Sequence, residues 1–259
     1  MLSLRTVRVT RYVTPLREGG SLPAIVEADD DGLYVLKFRG AGQGARALVA
    51  ELVAGEVART LGLPVPELVF VDLDPDLART EPDPEIQELI RASAGLNLAL
   101  DYLPGAVGFD PVADRLDAAL ASEIVWFDAY TSNVDRTARN TNLLMWHRRA
   151  WLIDHGACLY FHHGTDAADF AARVDDPFTR IKEHVLLPRA SDLAGADARL
   201  APRLTPDAIA AVASLVPDAW LPPDGAAQER AAYASYLRTR VEGARPFVEE
   251  AARARRPRV

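Results

Sequence analysis

The sequence is short of cysteine and of long apolar runs, and each shortage excludes a class of protein. Cys158 is the only cysteine among 259 residues, so no internal disulfide can form and a zinc site built on several cysteines is excluded. No uninterrupted apolar stretch approaches the roughly 20 residues that cross a bilayer. Arg5, Arg8 and Arg11 interrupt the first apolar residues, which do not form a signal-peptide pattern. We expect a soluble cytoplasmic protein.

Positive charge and aromatic residues are also scarce. The 29 Lys and Arg residues face 37 Asp and Glu residues, which gives a formal net charge of −8, and aromatic residues make up 7%. An acidic surface repels nucleic acid and anionic membranes, so we expect neither as a partner. Hydrophobic residues make up 49% of the chain, which is enough to bury the core of an ordinary globular protein.

Strand patterns dominate the first hundred residues and helix patterns dominate the rest. Segments of alternating or β-branched residues predict strands over 6–13, 22–28, 33–38 and 67–73. Apolar residues at helical spacing predict helices over 41–61, 114–130, 205–216 and 228–255, the last kinked near Pro246, whereas 74–84 has the composition of an exposed loop. This order predicts an α+β protein, a single domain of two lobes over residues 1–103 and 104–259.

The stretch from Asp128 to Gly156 carries most of the functional information. A polar loop over 131–141 follows an apolar helix, and two short strands then lead to Asp154 before a His-Gly turn. This arrangement allows Asp135 and Asn140 of the loop to converge on Asp154 at the strand end. Asp and Asn also favour plain turns, but Asp154 follows an apolar strand, where an unpaired carboxylate is costly unless a metal or a cation meets it.

Such a set of side chains suits phosphoryl transfer. A carboxylate orients the incoming hydroxyl and accepts its proton, and hard oxygen ligands hold magnesium. Asp-x-x-x-x-Asn, a strand hairpin and Asp-x-Gly is the spacing that protein kinases use. We therefore expect Asp135 as the catalytic base, with Asn140 and Asp154 as metal ligands.

The N-terminal part contains residues that could bind nucleotide phosphates. Lys37 alternates with apolar residues on a predicted strand, and Glu51 lies in the middle of the next helix. A strand lysine paired with a helix glutamate positions ATP phosphates in kinases. Gly19, Gly20 and Ser21 form a turn between strands, where free backbone amides could contact phosphate oxygens, although most Gly-Gly hairpins are only turns.

These motifs resemble the HipA-like kinase family, which is related to the phosphatidylinositol kinases within the protein-kinase-like fold. The resemblance is carried by residues 34–38, 50–66, 133–142 and 153–156. It implies a β-rich N-lobe, a mostly helical C-lobe, and the use of ATP and magnesium. It also implies the roles given above for Asp135, Asn140, Asp154, Lys37 and Glu51, and it places adenine against Leu100, Asp101 and Leu103.

The chain departs from the family pattern at two places. Relatives usually carry a histidine near the catalytic aspartate, where this chain has Arg136-Thr137, and His155 replaces the phenylalanine common after the metal-binding aspartate. Neither change removes an essential group. The resemblance implies transfer of the γ-phosphate of ATP to a hydroxyl acceptor, with Ser or Thr of a protein as the first candidate. A nucleotide-binding pseudokinase that serves as an interaction module is the alternative.

A metallohydrolase is a third reading, because the chain has histidines near Asp154. His162 and His163 are neighbours, however, and their side chains would diverge on a strand. No His-x-His or His-Glu-x-x-His spacing occurs in the sequence. We therefore expect a loop or partly buried position for each of these histidines.

Overall fold

The first five strands close into a barrel, described by a computed structural model that covers residues 2–16, 22–164 and 166–256. The strands are β1 (Thr6–Pro15), β2 (Ala24–Ala28), β3 (Leu33–Lys37), β4 (Leu68–Leu73) and β5 (Gly95–Asp101), in the order β1-β2-β3-β5-β4. Their pairings are antiparallel except for β1 with β4, which is parallel. Alternate side chains, such as Tyr34 and Leu36 of β3, fill the barrel with an apolar core.

Helix α1 (Ala45–Thr60) connects β3 to β4 and is buried on all sides over much of its length. Every residue from Leu48 to Ala58 is buried, including Glu51. One side packs against β4 and β5, and Gly55 lies so close to β4 that an added Cβ would be 3.0 Å from the Leu68 side chain. The other side joins the core of the helical region. The helix is thus held between the two parts of the chain.

Helix α2 (Pro84–Ala92) is an element that the sequence pattern did not predict. The segment expected as an exposed loop, 74–84, forms a 3-10 turn over Pro75–Thr80 that leads into this helix. Asp83 caps α2 by accepting a hydrogen bond from the Glu85 amide, and Pro84 occupies the first turn. Ile86 and Ile90 are the buried positions, and they cover one end of the barrel core.

The remaining chain is mostly helical around a small second sheet. The helices are α3 (Ala118–Tyr130), α4 (Leu193–Leu200), α5 (Pro206–Ser214), α6 (Ala226–Glu242) and α7 (Pro246–Arg255). Strands β6 (Val107–Gly108), β7 (Leu143–Trp146) and β8 (Arg149–Leu152) form the sheet. The expected kink near Pro246 is a full break, because Arg245 adopts a left-handed conformation with φ 51° between α6 and α7. Helix α3 begins at Ala118, after its cap Asp117, rather than at 114.

One continuous apolar core joins α1 and the outer face of the barrel to the helical region. Trp220 strengthens this contact, since its indole Nε1 donates to the Leu96 carbonyl at 3.0 Å and its ring packs edge-on against Phe70. Within the described ranges, no helix has the length and apolar character needed to span a membrane. The fold is α+β, as the order of elements predicted.

Candidate active site

Lys37, Glu51 and Asp154 meet where α1 lies against the barrel. Strand alternation turns Lys37 away from the barrel interior, towards α1. The Lys37 ammonium donates to Asp154 Oδ1 at 2.6 Å and lies 3.9 Å from Glu51 Oε2. The Lys37 side chain is only 12% exposed, whereas that of Asp154 is 43% exposed. The cluster therefore has a buried end at Glu51 and an open end at Asp154.

The charges of this cluster stabilise one another against the cost of burial. Burial opposes ionisation of Glu51, but the positive charge of Lys37 and the neighbouring His155 ring lower the pKa of Glu51 to about 2. Burial likewise opposes the charge on Lys37, and the carboxylates of Glu51 and Asp154 outweigh it and raise the pKa of Lys37. The lysine is thus a permanent cation that faces the open end of the cluster.

His155 occupies the buried position next to Asp154. Its ring is fully buried and packs edge-on against Phe127. His155 Nδ1 lies 3.5 Å from Glu51 Oε1, a long contact that leaves both atoms without a short hydrogen bond. The histidine therefore packs in the core and places a polar ring beside Glu51.

The loop after α3 brings Asp135 and Asn140 together. Asn140 Nδ2 donates to Asp135 Oδ2 at 2.8 Å, and Asn142 Nδ2 donates to the same oxygen at 3.1 Å. Asp135 is half-buried, Asn140 is exposed and Asn142 is buried. The sequence pattern does not single out Asn142, which lies at the end of the range 133–142 and directly before β7.

Direct backbone contacts join this loop to the segment that carries Asp154. The Ile153 amide donates to the Asn142 carbonyl at 3.1 Å, and the Arg136 guanidinium approaches the Ile153 carbonyl at 3.4 Å. Asp154 itself adopts a left-handed conformation with φ 58°, which aspartate tolerates better than most residues other than glycine. The negative charge of Asp135 also contributes to the raised pKa of Lys37. Asp135 and Asn140 are therefore in direct contact, and the segment that carries Asp154 is hydrogen-bonded to the same loop.

A buried ion pair attaches the loop that carries Asp135 to the protein core. Arg136 Nε donates to Asp128 Oδ2 at 2.6 Å, and both side chains are fully buried. His184 Nε2 lies 2.8 Å from the same Asp128 oxygen, and its Nδ1 accepts from the Leu186 amide, so the ring carries its proton on Nε2. Asn133 Nδ2 donates to the other Asp128 oxygen at 2.8 Å, and Asn133 Oδ1 accepts from the Asp135 amide at 3.0 Å.

The Asp128 network gives Arg136 a structural role. Burial opposes the negative charge of Asp128, but Arg136 and the hydrogen bond from His184 hold the pKa of Asp128 well below its ordinary range. Sequence reasoning missed the network, although a signal was present. Asp128 lies in the apolar run of α3, where a lone carboxylate requires a cation or several donors.

Several oxygen atoms around the open end make no hydrogen bond within the described residues. They are Asp154 Oδ2, Asn140 Oδ1 and Asp135 Oδ1. Carboxylate and amide oxygens are the donors that magnesium prefers, so Asp154 and Asn140 fit such an ion. No group of three His, Cys, Asp or Glu side chains in the described ranges could hold a metal by itself. An ion at this place would need further oxygen ligands from a bound molecule.

The residues expected to contact a nucleotide base lie at the end of the neighbouring strand, β5, and just after it. The register pairs Lys37 with Leu98 and Val35 with Leu100, so Leu100 shares a face with Lys37. Leu100 and Leu103 are buried, whereas Asp101 is exposed at the end of β5. Gly19, Gly20 and Ser21 lie outside the described residues, and their expected role stays a prediction.

The pair His162 and His163 lies near the start of α1 and is not part of the cluster formed by Lys37, Glu51 and Asp154. His162 and His163 lie in a 3-10 turn over Tyr160–His163, and their Nε2 atoms are 3.1 Å apart. The expectation that they diverge is wrong, because they lie in a turn rather than a strand. His162 Nδ1 contacts the Tyr233 hydroxyl at 2.8 Å, and the Arg46 guanidinium contacts the His162 carbonyl. These contacts indicate a structural role.

His162 should make the stability of the protein depend on pH. Burial and the charges of His163 and Arg46 lower its pKa from 6.5 to about 3. Below pH 6.5 the unfolded chain binds a proton that the folded chain does not, so stability is lost as the pH falls from 6.5 towards 3. We expect His162→Gln to reduce this dependence by about 1.4 kcal/mol per pH unit between pH 6 and 4 in urea titrations. The exposed His147→Gln serves as control, and equal slopes in all three proteins would contradict the expectation.

Comparison with known proteins finds one matching family model and several similar solved structures. A family model described as HipA-like kinase matches residues 9–240. The crystal structure of the Helicobacter pylori proinflammatory kinase CtkA is similar over 96% of this chain and 97% of that chain, with a TM-score of 0.58 and 14% sequence identity. A crystal structure of the Golgi casein kinase with Mn/ADP bound is similar over 96% of this chain and 74% of that chain, with a TM-score of 0.48 and 11% identity.

No curated protein matches this chain in sequence. At 14% identity, the likeness to CtkA shows a shared kinase-like fold and no more. The family model carries more weight, because it covers most of the chain, from the first strand of the barrel to the end region of α6. The resemblance drawn from the sequence motifs is thereby confirmed, and the chain belongs to the HipA-like kinase family.

Proposed function

We propose that this chain transfers the γ-phosphate of ATP to a hydroxyl acceptor, with Ser or Thr of a protein as the first candidate. One observation supports this proposal above the others. Lys37 bridges buried Glu51 and open Asp154, directly beside a loop in which Asp135 keeps one carboxylate oxygen free. In this proposal these side chains supply a cation for phosphates, a base and two oxygen ligands for a metal, which is the set that phosphoryl transfer uses.

Each of these side chains has a distinct task in the proposed reaction. Lys37, held by Glu51, binds phosphate oxygens and orients the nucleotide. Asp135 Oδ1 accepts the proton of the acceptor hydroxyl as its oxygen bonds to the γ-phosphorus and the bond to ADP breaks. Asn140 Oδ1 and Asp154 would hold magnesium, which would neutralise the charge of the phosphates. Leu100, Asp101 and Leu103 would border the adenine, and Gly19, Gly20 and Ser21 would cover the phosphates.

We also propose that the chain is a single domain that consists of two lobes. The barrel ends with β5 at Asp101, and the first strand of the second sheet begins at Val107. Residues 1–103 would form the N-lobe and residues 104–259 the C-lobe, with the nucleotide between them. The continuous core along α1 implies that the two lobes move little relative to each other.

Asp154→Asn should weaken binding of ATP in the presence of magnesium by about ten- to a hundredfold, because it removes one charged ligand of the metal. The same change also takes the closest carboxylate away from Lys37. Binding of ATP without magnesium should change much less. Calorimetric titration with and without magnesium measures both quantities, and Asp175→Asn, which alters an exposed carboxylate, is the control. Unchanged binding of magnesium-ATP by Asp154→Asn would contradict its assignment as a metal ligand.

A further inference from the structure

Asn142 has a backbone that is fixed from two directions. It adopts a left-handed conformation with φ 47°, which asparagine tolerates better than most residues. Its carbonyl accepts a hydrogen bond from the Ile153 amide at 3.1 Å and a second one from the Arg136 guanidinium. Arg136 is itself held by Asp128 in the buried network. The direction of the Asn142 side chain is therefore set by the core.

The side chain of Asn142 makes a single hydrogen bond within the described residues, and its partner is Asp135. Nδ2 donates to Asp135 Oδ2 at 3.1 Å, the same oxygen that accepts from Asn140 at 2.8 Å. Two donors on one oxygen fix the plane of the carboxylate. They leave Asp135 Oδ1 as the oxygen that can accept a proton.

The two amides differ in their surroundings. Asn140 is exposed and belongs to the proposed metal site, so its side chain must adjust when the metal and the nucleotide bind. Asn142 is buried, and its backbone is tied to the core. Only Asn142 can therefore hold Asp135 in the same orientation before, during and after nucleotide binding.

We propose that Asn142 is a positioning residue that holds the carboxylate of Asp135 for the acceptor hydroxyl, independently of the metal ligand Asn140. This inference rests on the proposed function, since it assigns Asp135 as the base. It explains why an asparagine stands at a left-handed position where glycine would be less strained.

Asn142→Gly tests the side chain alone, because glycine keeps the left-handed backbone and its carbonyl contacts. We expect kcat for phosphate transfer to fall about tenfold, as for the loss of one hydrogen bond to a charged group. The KM for ATP should stay within about twofold, because no nucleotide contact is lost. Asn142→Ala should lower kcat equally but also lower the Tm, since alanine is strained at this φ. Asn142→Asp should be slower still, because its carboxylate would repel Asp135.

A spectroscopic measurement tests the contact without relying on activity. The side-chain amide resonances of Asn142 can be assigned in ¹H–¹⁵N spectra as the pair that Asn142→Gly lacks. We expect this pair to shift in Asp135→Ala, which removes the acceptor, and to stay in place in the exposed variant Asp175→Asn.

The outcomes separate this inference from the proposed function. A parent chain that transfers no phosphate counts against the proposed function, and the resonances then decide the contact on their own. The inference would be overturned if Asn142→Gly kept the parental kcat. It would also be overturned if the side-chain resonances of Asn142 did not shift in Asp135→Ala. A joint loss of kcat, ATP binding and Tm in Asn142→Gly would also overturn it, because it would show a merely structural role.

Discussion

Asp135→Asn is expected to transfer phosphate about a hundred- to ten-thousandfold more slowly than the parent chain, the usual cost of losing a general base. The substituted side chain keeps an oxygen that can accept from Asn140 and Asn142, so the loop should retain its geometry. Its amide group, however, cannot take a proton from the acceptor hydroxyl. ATP binding should remain close to parental, because Asp135 contacts the acceptor and not the nucleotide.

The two halves of this expectation need two measurements on the same preparation. Calorimetry gives the affinity for magnesium-ATP, and label transfer from ATP gives the rate. Asp154→Asn is the informative partner variant, since it should lose affinity as well as rate. Transfer at the parental rate by Asp135→Asn would show that another group takes the proton.

Arg136→Met is expected to lower the free energy of unfolding by about 3–5 kcal/mol, because it leaves the buried Asp128 carboxylate without its cation. His184 and Asn133 would remain as donors to Asp128, but neither supplies the full positive charge of a guanidinium. The loss should also loosen the loop that carries Asp135, since Arg136 bonds the carbonyl of Asn142.

Urea unfolding measures this effect, with Arg199→Met as the control. Arg199 pairs with Glu123 and Asp192 at the surface, where solvent screens the charges, so its loss should change the midpoint little. Equal midpoints for the two variants would contradict the structural role of Arg136. If Arg136→Met folds and transfers phosphate at the parental rate, the buried Asp128 network is not needed for the reaction.

The Lys37–Glu51 contact could be predicted because each residue follows a local pattern. Strand alternation decides which way Lys37 points, and a glutamate among apolar helix residues must meet a cation. The sequence could not reveal that α1 is buried all round, since the helical spacing of its apolar residues indicated only one buried face. That burial comes from packing between the barrel and the helical region, which is a property of the tertiary fold.

The parts that sequence reasoning missed depend on contacts between distant residues. His184, which contacts Asp128, is 56 residues further along the sequence. No local sequence pattern indicates a contact between residues so far apart. Between Asp154 and α4 the described residues form four 3-10 turns, whose apolar residues show neither helical nor strand spacing: Tyr160–His163, Ala167–Arg173, Thr179–Glu183 and Leu187–Arg189. Asn142 was overlooked for a different reason. It directly precedes the apolar residues of β7 (Leu143–Trp146), so its local pattern does not point to a side-chain contact with Asp135.

The burial of α1 has a consequence for regulation. Glu51 lies among eleven consecutive buried residues, and on the C-terminal side of the chain Trp220 and Arg203 tie the helical region to β5 and to the end of α1. Moving Glu51 away from Lys37 would expose a large apolar surface. We therefore expect control of this protein to act through nucleotide or acceptor access rather than through displacement of α1.

The most direct measurement is transfer of γ-labelled phosphate from ATP, with magnesium, to a degenerate library of peptides that contain Ser and Thr. We expect the parent chain to label the peptides or itself, and we expect no transfer of label from the α-position of ATP. Asp135→Asn should label at background while still binding ATP. A parent chain that binds magnesium-ATP and yet transfers label neither to a peptide nor to itself would contradict the proposed kinase activity and support the pseudokinase alternative.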